Sequence, residues 1–294
     1  MIEGLIALIL SLGLTPYVTR MNKRAGIVGR DVHKANKPEI PEMGGIAVVI
    51  AVIFASAVGK VDSVSLAVFS LFALLGVLDD LTGMRQLHKV MCSLLFALPV
   101  IPIGGEALNV FGHKIPLGAL YGMFALLFVT TSANLVNMLA GFNGLELGTS
   151  AIALGVLSFI TTGTAKELSL IGLGASLGFL FWNKYPARVF PGDVGTLSVG
   201  SLIGIIGIVG HVEGAVALLL LPHSLDFILK AVDSKFGVRK RGGAKIDEDG
   251  RLVPPNYRSF LGLLIKATRP KEWELVLFVW LIELILGGIV LLLS

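Results

Sequence analysis

The chain has 294 residues, 54% of them hydrophobic and only 15% charged, with a mean hydropathy of +0.85 and a formal net charge of +4. Those proportions exclude a water-soluble globule and point to a polytopic membrane protein. The lone cysteine, Cys92, excludes a disulfide framework and any cysteine-built zinc site.

A helix needs about 20 apolar residues to cross a bilayer. Ten apolar stretches are expected as spans, several of them short: 2–19, 44–59, 63–80, 90–104, 117–137, 146–163, 167–182, 195–211, 213–231 and 273–293. The first lacks a basic region before it and a small-residue cleavage site after it, so it reads as a retained helix and not as a signal peptide. Successive spans alternate sides, which sorts the connections into two sets. One set, made of 20–43, 81–89, 138–145, 183–194 and 232–272 with Lys230 at its edge, carries 21 of the 24 basic residues. The other set carries Lys60, Lys114 and Lys166. The positive-inside rule then puts the rich set in the cytoplasm and both termini outside. The expected architecture is an all-α, multi-pass integral membrane protein of about ten transmembrane helices, a single domain over 1–294, with 232–272 as a long cytoplasmic loop within it.

Taken along the chain, the polar residues that interrupt this pattern gather on the predicted cytoplasmic side. Asp79-Asp80 ends the apolar run from Leu71 to Leu78. A plain reading makes them solvated interfacial acids. A chemical reading notes that adjacent acids repel, and that a cation or an incoming phosphate donor complex would relieve the repulsion. Lys89, beside His88 and one turn after Arg85, opens the next span and is placed to offer an ammonium to a lipid phosphate. It also fits an ordinary snorkelling lysine. Asn134 and Asn137 share one helical face, where polar residues often bond between helices.

Asp193 follows Phe190-Pro191-Gly192 at a tight turn opening a helix, either as an N-cap or as a ligand. What favours ligands is convergence, because carboxylates and carboxamides from separate helices reach one membrane face. Those are the groups a magnesium ion takes, few in number, when it holds a diphosphate. Arg239-Lys240-Arg241 in the last loop could equally clamp a diphosphate by forked hydrogen bonds or serve as a topogenic charge run. The rest of that loop, with Gly242-Gly243, Asp247-Glu-Asp-Gly250 and Pro254-Pro-Asn256, reads as a cytoplasmic flap with turns. A transporter or flippase is the rival class, since Asp226 lies within the ninth stretch. It predicts repeated half-structures, and no internal repeat is evident.

The ordered set Asp31-Val-His-Lys34, Ile40-Pro-Glu-Met-Gly-Gly45, Gly76-Val-Leu-Asp-Asp80, Asn134-Leu-Val-Asn-Met-Leu-Ala-Gly-Phe-Asn-Gly-Leu-Glu146 and Tyr185-Pro-Ala-Arg-Val-Phe-Pro-Gly-Asp193 resembles the polyprenyl-phosphate N-acetylhexosamine-1-phosphate transferase family over about residues 20–245. The resemblance implies ten helices, cytoplasmic active-site loops, and transfer of a sugar 1-phosphate from a UDP-sugar to a polyprenyl phosphate. It implies magnesium, or manganese in its place, on Asn137 and Asp193, with Asp79 and Asp80 at the reacting centre. The acceptor phosphate is expected at Lys89 and Asn134. Donor contacts are expected from Arg30, Asp31, Val32, Glu42, Asn143, Arg239, Lys240 and Arg241.

The bacterial peptidoglycan branch usually carries the acidic form Asn-x-x-Asp-Gly-x-Asp-Gly where this chain has Asn137-Met-Leu-Ala-Gly-Phe-Asn143-Gly. The neutral form, with Ile40-Pro-Glu42, is similar to the eukaryotic dolichyl-phosphate enzyme, so UDP-N-acetylglucosamine and a dolichyl-type phosphate are the expected substrates. The histidine-rich loop of the peptidoglycan enzymes is missing, with His223 at most a remnant. Gly83 stands where the family often has Asp or Asn. A plasma membrane or an endoplasmic-reticulum-type membrane would suit the enzyme, no nucleic-acid partner is expected, and the assembly is open between monomer and homodimer.

Overall fold

The computed structural model describes residues 1–34, 36–59, 61–103, 105–234 and 243–294. Each of the ten apolar stretches contains helix, the fourth only as far as Val100. In chain order they form α1 (Ile2–Arg24), α2 (Ile46–Gly59), α3 (Ser63–Thr82), α4 (Gln86–Ala97), α5 (Leu120–Met138), α6 (Leu145–Ile160), α7 (Gly163–Asn183) and α8 (Gly192–Val209). Then come α9 (Glu213–Leu219), α10 (Leu221–Asp233), a short α11 (Phe260–Thr268) and α12 (Glu272–Leu293). Three antiparallel hairpins sit in the connections: β1 (Val28–Arg30) with β2 (Glu39–Pro41), β3 (Ala107–Val110) with β4 (His113–Pro116), and β5 (Lys245–Ile246) with β6 (Leu252–Val253).

Among the described residues, six helices (α1, α3, α5, α7, α8 and α12) are long and apolar enough to cross a membrane. The pair α9 and α10, bent by 63°, makes a seventh if it is one span, and α2, α4 and α6 are apolar but shorter. The chain is thus an all-α protein with several membrane-spanning helices. Two expected boundaries move outward, since α4 starts at Gln86 and α7 at Gly163. Hydropathy stops at the first polar residue, whereas helical hydrogen bonding continues through it into the terminal turn. The expected continuous ninth stretch is broken at Leu220.

The centre of the bundle is α8, buried along nearly its whole length and packed on α3, α5 and α7. In lipid, apolar side chains gain nothing by leaving one hydrocarbon environment for another, so close backbone approach decides which helices meet. Gly76 on α3 shows this: a Cβ there would lie 2.3 Å from the Val194 Cα. The missing side chain brings the end of α3, with Asp79 and Asp80, directly against the start of α8, with Asp193.

Gly83 acquires a backbone reason. It ends α3 in the left-handed conformation at φ 60°, its N–H donating to the Asp79 carbonyl at 2.8 Å. Asn and Asp are the side-chain-bearing residues that tolerate this conformation best. Gly83 is therefore explained by the backbone turn that ends α3.

A second, smaller apolar cluster holds the last loop. Leu139, Phe142 and Leu145 pack with Leu252, Leu261 and Ile265, and with Leu275, Val276 and Val279 of α12. Asp226 of α10 is fully buried; its Oδ1 accepts from the Phe260 N–H at 3.0 Å, and its Oδ2 pairs with Lys230 at 2.5 Å. Its burial is explained as an anchor for the start of α11, which removes the motive for an ion pathway at this residue.

Candidate active site

A cleft of about 340 Å³ opens where α3 and α5 end and α6 and α8 begin. Arg30, Asp31, Val32, Glu42, Asp80, Asn137, Asn143 and Asp193 all line it, joined by His33, Phe142, Glu146 and Phe190. Residues as far apart in sequence as Arg30 and Asp193 therefore share one space. Arg239, Lys240 and Arg241 lie outside the described residues.

On one side of the cleft, Lys89 in the first turn of α4 bridges two carboxylates. Its Nζ is ion-paired with Asp79, and it donates to Asp193 Oδ2 at 3.0 Å. Asp79 Oδ1 accepts from the Met84 N–H at 2.8 Å, just past Gly83, so the turn that ends α3 also fixes this carboxylate. Asp80 does something different: its two oxygens accept from the N–H groups of Asp193, at 2.8 Å, and Val194, at 3.0 Å. It caps α8 from another helix, satisfying donors that the first turn cannot use internally. The two adjacent acids thus divide the work, Asp79 holding Lys89 and Asp80 holding the backbone beneath Asp193.

The carboxamide nitrogen of Asn137 is buried without a hydrogen-bond partner. The two ends of a carboxamide are interchangeable in such an assignment, so the observation is an unsatisfied polar atom on a group that lines the cleft together with Asp193. One carboxylate and one spare carboxamide fit the sparse oxygen ligation of a hard divalent cation. Asn134, a turn earlier, donates to Ser93 Oγ at 3.2 Å and to the Thr130 carbonyl at 2.8 Å, tying α5 to α4 one turn from Lys89.

Across the cleft, Lys34 also bridges two carboxylates, Glu272 Oε2 at 2.6 Å and Asp31 Oδ2 at 3.3 Å, with its ammonium 3.8 Å from the centre of the Tyr185 ring. Asp31 accepts from Asn143 Nδ2 at 3.0 Å, and Glu272 Oε1 accepts from the Asn143 N–H at 2.8 Å. Asp31, His33 and Glu272 have ligand-type atoms within 4.8 Å of one another. The Lys34 ammonium already pairs with both of those carboxylates, and Asn143 donates to each, so their oxygens are engaged within the protein. His33 stacks on Phe142, ring centres 4.5 Å apart, and bonds the backbone of Ala244. Burial lowers the pKa of its imidazole. Glu42 also lines the cleft, and burial, reinforced by the charge of Asp80, raises its carboxyl above the usual range.

Sequence reasoning did not assign Lys34, Glu146 or Glu272 a role. Glu146 Oε1 accepts from the Gly141 N–H at 2.7 Å while its other oxygen is buried without a partner. Two of the three stood inside quoted motifs, Asp31-Val-His-Lys34 and Asn143-Gly-Leu-Glu146. Glu272 had the weaker signal of an acid opening an apolar helix, which by itself reads as helix-dipole complementation.

Comparison with known proteins gives the family. Residues 62–211 match the family described as Glycosyl transferase family 4. The chain is 35% identical, over 99% of its own length and 95% of the relative's, to a Saccharolobus solfataricus protein provisionally named UDP-N-acetylglucosamine–dolichyl-phosphate N-acetylglucosaminephosphotransferase. It is 32% identical, over 97% and 93%, to a Sulfolobus acidocaldarius protein of the same provisional name. It is 29% identical, over 99% and 97%, to the phospho-N-acetylmuramoyl-pentapeptide-transferase of Streptococcus suis. The family match runs from the cap of α3 to just beyond α8, through every helix that builds the Asp79, Lys89 and Asp193 cluster. The chain belongs to glycosyl transferase family 4, the polyprenyl-phosphate N-acetylhexosamine-1-phosphate transferases.

Proposed function

We propose that the protein transfers N-acetylglucosamine 1-phosphate from UDP-N-acetylglucosamine to a membrane polyprenyl phosphate of the dolichyl type, releasing UMP. The observation that carries this reading is the single cleft in which Asn137, Asn143 and Asp193 meet beside the Lys89-bridged acids. The names of the two archaeal relatives support the choice of substrates.

An oxygen of the acceptor phosphate attacks the phosphorus bonded to the sugar. The bond from that phosphorus to the bridging oxygen breaks, UMP departs, and a lipid diphosphate sugar remains in the membrane. A phosphate monoester, with its second pKa near 6, is largely ionised at neutral pH and needs little help from a base. Positioning and charge neutralisation are the main requirements. Lys89 has three N–H groups; two engage Asp79 and Asp193, leaving one for the acceptor phosphate. Asn137 and Asp193 would hold magnesium or manganese, which neutralises charge on the donor diphosphate when bound. Arg239, Lys240 and Arg241 would supply further charge-assisted hydrogen bonds to the donor.

The same reading makes ten spans of α1 to α8, the α9 and α10 pair, and α12, with the cleft in the cytoplasm and both termini outside. In a Cys92→Ala background, a single cysteine at Gly243 should be labelled from the cytoplasmic side of sealed vesicles and one at Gly163 only from the other. The reverse pattern would overturn the orientation. For the activity, purified protein should release UMP from UDP-N-acetylglucosamine only when a polyprenyl phosphate is present, and chelation should stop it until magnesium is restored. Equal release without acceptor, or faster turnover of a different UDP-N-acetylhexosamine, would sink the proposed substrates.

A further inference from the structure

The four residues on the donor side form a closed circuit. Glu272 takes the backbone N–H of Asn143 on one oxygen and the Lys34 ammonium on the other. Lys34 reaches Asp31, and Asp31 takes the side-chain nitrogen of the same Asn143. Three segments far apart in the chain are thereby locked together: the connection before β2, the loop between α5 and α6, and the first turn of the last membrane helix. Glu272 and Asp31 are both almost fully buried, and so is Asn143. A buried carboxylate held by a neighbouring cation and by N–H donors is costly to leave half-satisfied, so such circuits specify one arrangement.

The circuit also decides which end of the Asn143 carboxamide faces a ligand. An ionised carboxylate only accepts hydrogen bonds, so Asp31 commits the nitrogen of Asn143 to itself. The carbonyl oxygen is left over, and Asn143 lines the cleft. The group offered to a ligand is therefore an acceptor, suited to an N–H or O–H on the donor substrate.

We propose that Glu272, at the start of the last helix, is a positioning residue for the donor substrate: through Lys34 and Asp31 it fixes the loop of Asn143 and the direction in which its carboxamide points. This rests on the assignment of a UDP-sugar to this cleft. Glu272 touches no reacting atom, and Lys89, Asp79 and Asp193 lie in a separate network. Its loss should therefore weaken donor binding and spare the chemical step.

The test is Glu272→Gln, which keeps the shape and removes the charge that holds Lys34, with Lys34→Met as the second variant. Each should raise the KM for UDP-N-acetylglucosamine about tenfold, the scale of one charge-assisted hydrogen bond. Both kcat and the KM for polyprenyl phosphate should stay within about twofold of wild type, and the double variant should be little worse than either single one, because the two residues serve one circuit. Thermal unfolding in detergent, read alongside, separates this from general destabilisation, which would lower kcat and active fraction together. An unchanged donor KM, an equal loss in kcat, or fully additive effects would overturn the proposal. Binding of UMP to the same variants gives the readout independent of turnover. A wild-type protein that binds UMP but does not use UDP-N-acetylglucosamine would retire the proposed donor, while a tenfold loss of UMP binding in both variants would still uphold the positioning role and unchanged binding would end it.

Discussion

The two walls of the cleft use the same device for different ends. On one wall Lys89 joins Asp79 and Asp193; on the other Lys34 joins Asp31 and Glu272. The first pair of acids comes from the closely packed α3 and α8, and Asp193 retains 28% side-chain exposure toward the cleft, whereas Asp31 and Glu272 are each only 3% exposed. The Lys34 network is turned inward, with its charges consumed in holding backbone and carboxamide in place. In the Lys89 network the ammonium and Asp79 are likewise largely buried, and it is the Asp193 carboxylate that still faces the open space. A lysine between two acids is thus no signature of catalysis; what matters is whether any of its members still faces ligand.

Lys89→Met is expected to break this contrast most severely. It removes the one cation that Asp79 and Asp193 share and any direct contact with the acceptor phosphate, so kcat should fall by about 10²–10³, the usual loss when a single preorganised electrostatic contact is removed. UMP binding should change little. Were Lys89→Met to raise only the donor KM, as expected of Lys34→Met, the two walls would be equivalent and the comparison would fail.

The adjacent acids sharpen it at a smaller scale. Asp80→Ala should strip the cap from α8 and lower stability by about 0.5–2 kcal/mol, seen as an earlier thermal transition, with activity falling as Asp193 shifts. Asp80→Asn should recover most of both losses, because a carboxamide oxygen still accepts from the Asp193 and Val194 N–H groups. Asp79→Asn should behave oppositely, leaving the transition near that of wild type while reducing kcat, because Lys89 then keeps Asp193 as its one counter-charge and is drawn toward it. Identical behaviour of the two Asn variants would refute the division of labour.

Glu42 supplies the mildest test. Its carboxyl is raised above its ordinary value of 4.5 by burial and by Asp80, so the folded protein holds this proton more tightly than the unfolded chain. Between the ordinary and the raised value the folded state binds more protons, and stability contributed by this residue falls as pH rises through that window. Glu42→Gln should flatten that part of the profile of thermal stability against pH. A profile unchanged by the substitution would mean that Glu42 carries no such shift.

Much of this was legible beforehand. Hydropathy located ten apolar stretches, and each contains helix, the ninth as two bent pieces, because a stretch of nonpolar side chains in lipid has to satisfy its own backbone hydrogen bonds. The polar motifs stood out because charged and carboxamide groups at the ends of such stretches are costly without a function. Residues as distant as Asp31 and Asn143 were assigned to one substrate by resemblance, and the fold brings them to hydrogen-bonding distance. Less legible were the helix ends, where Gln86 to Lys89 belong to a helix although their polarity suggested a loop.

Pairing was not legible at all. Asp79 and Asp80 are equivalent on paper, and they differ only because successive residues of a helix point about 100° apart, so that one meets the Lys89 ammonium and the other the exposed N–H groups of α8. Glu272 resembled any acid at a helix start until the last helix was packed against the loop of Asn143. By itself the sequence determined the membrane class, the helical segments and the inventory of chemical groups, since these follow from local composition and backbone satisfaction. Only the tertiary structure decided how the two networks close, because the bonds of Lys89 to Asp193, Lys34 to Glu272 and Asn143 to Asp31 depend on distances of about 3 Å between segments more than a hundred residues apart, and no local pattern encodes them.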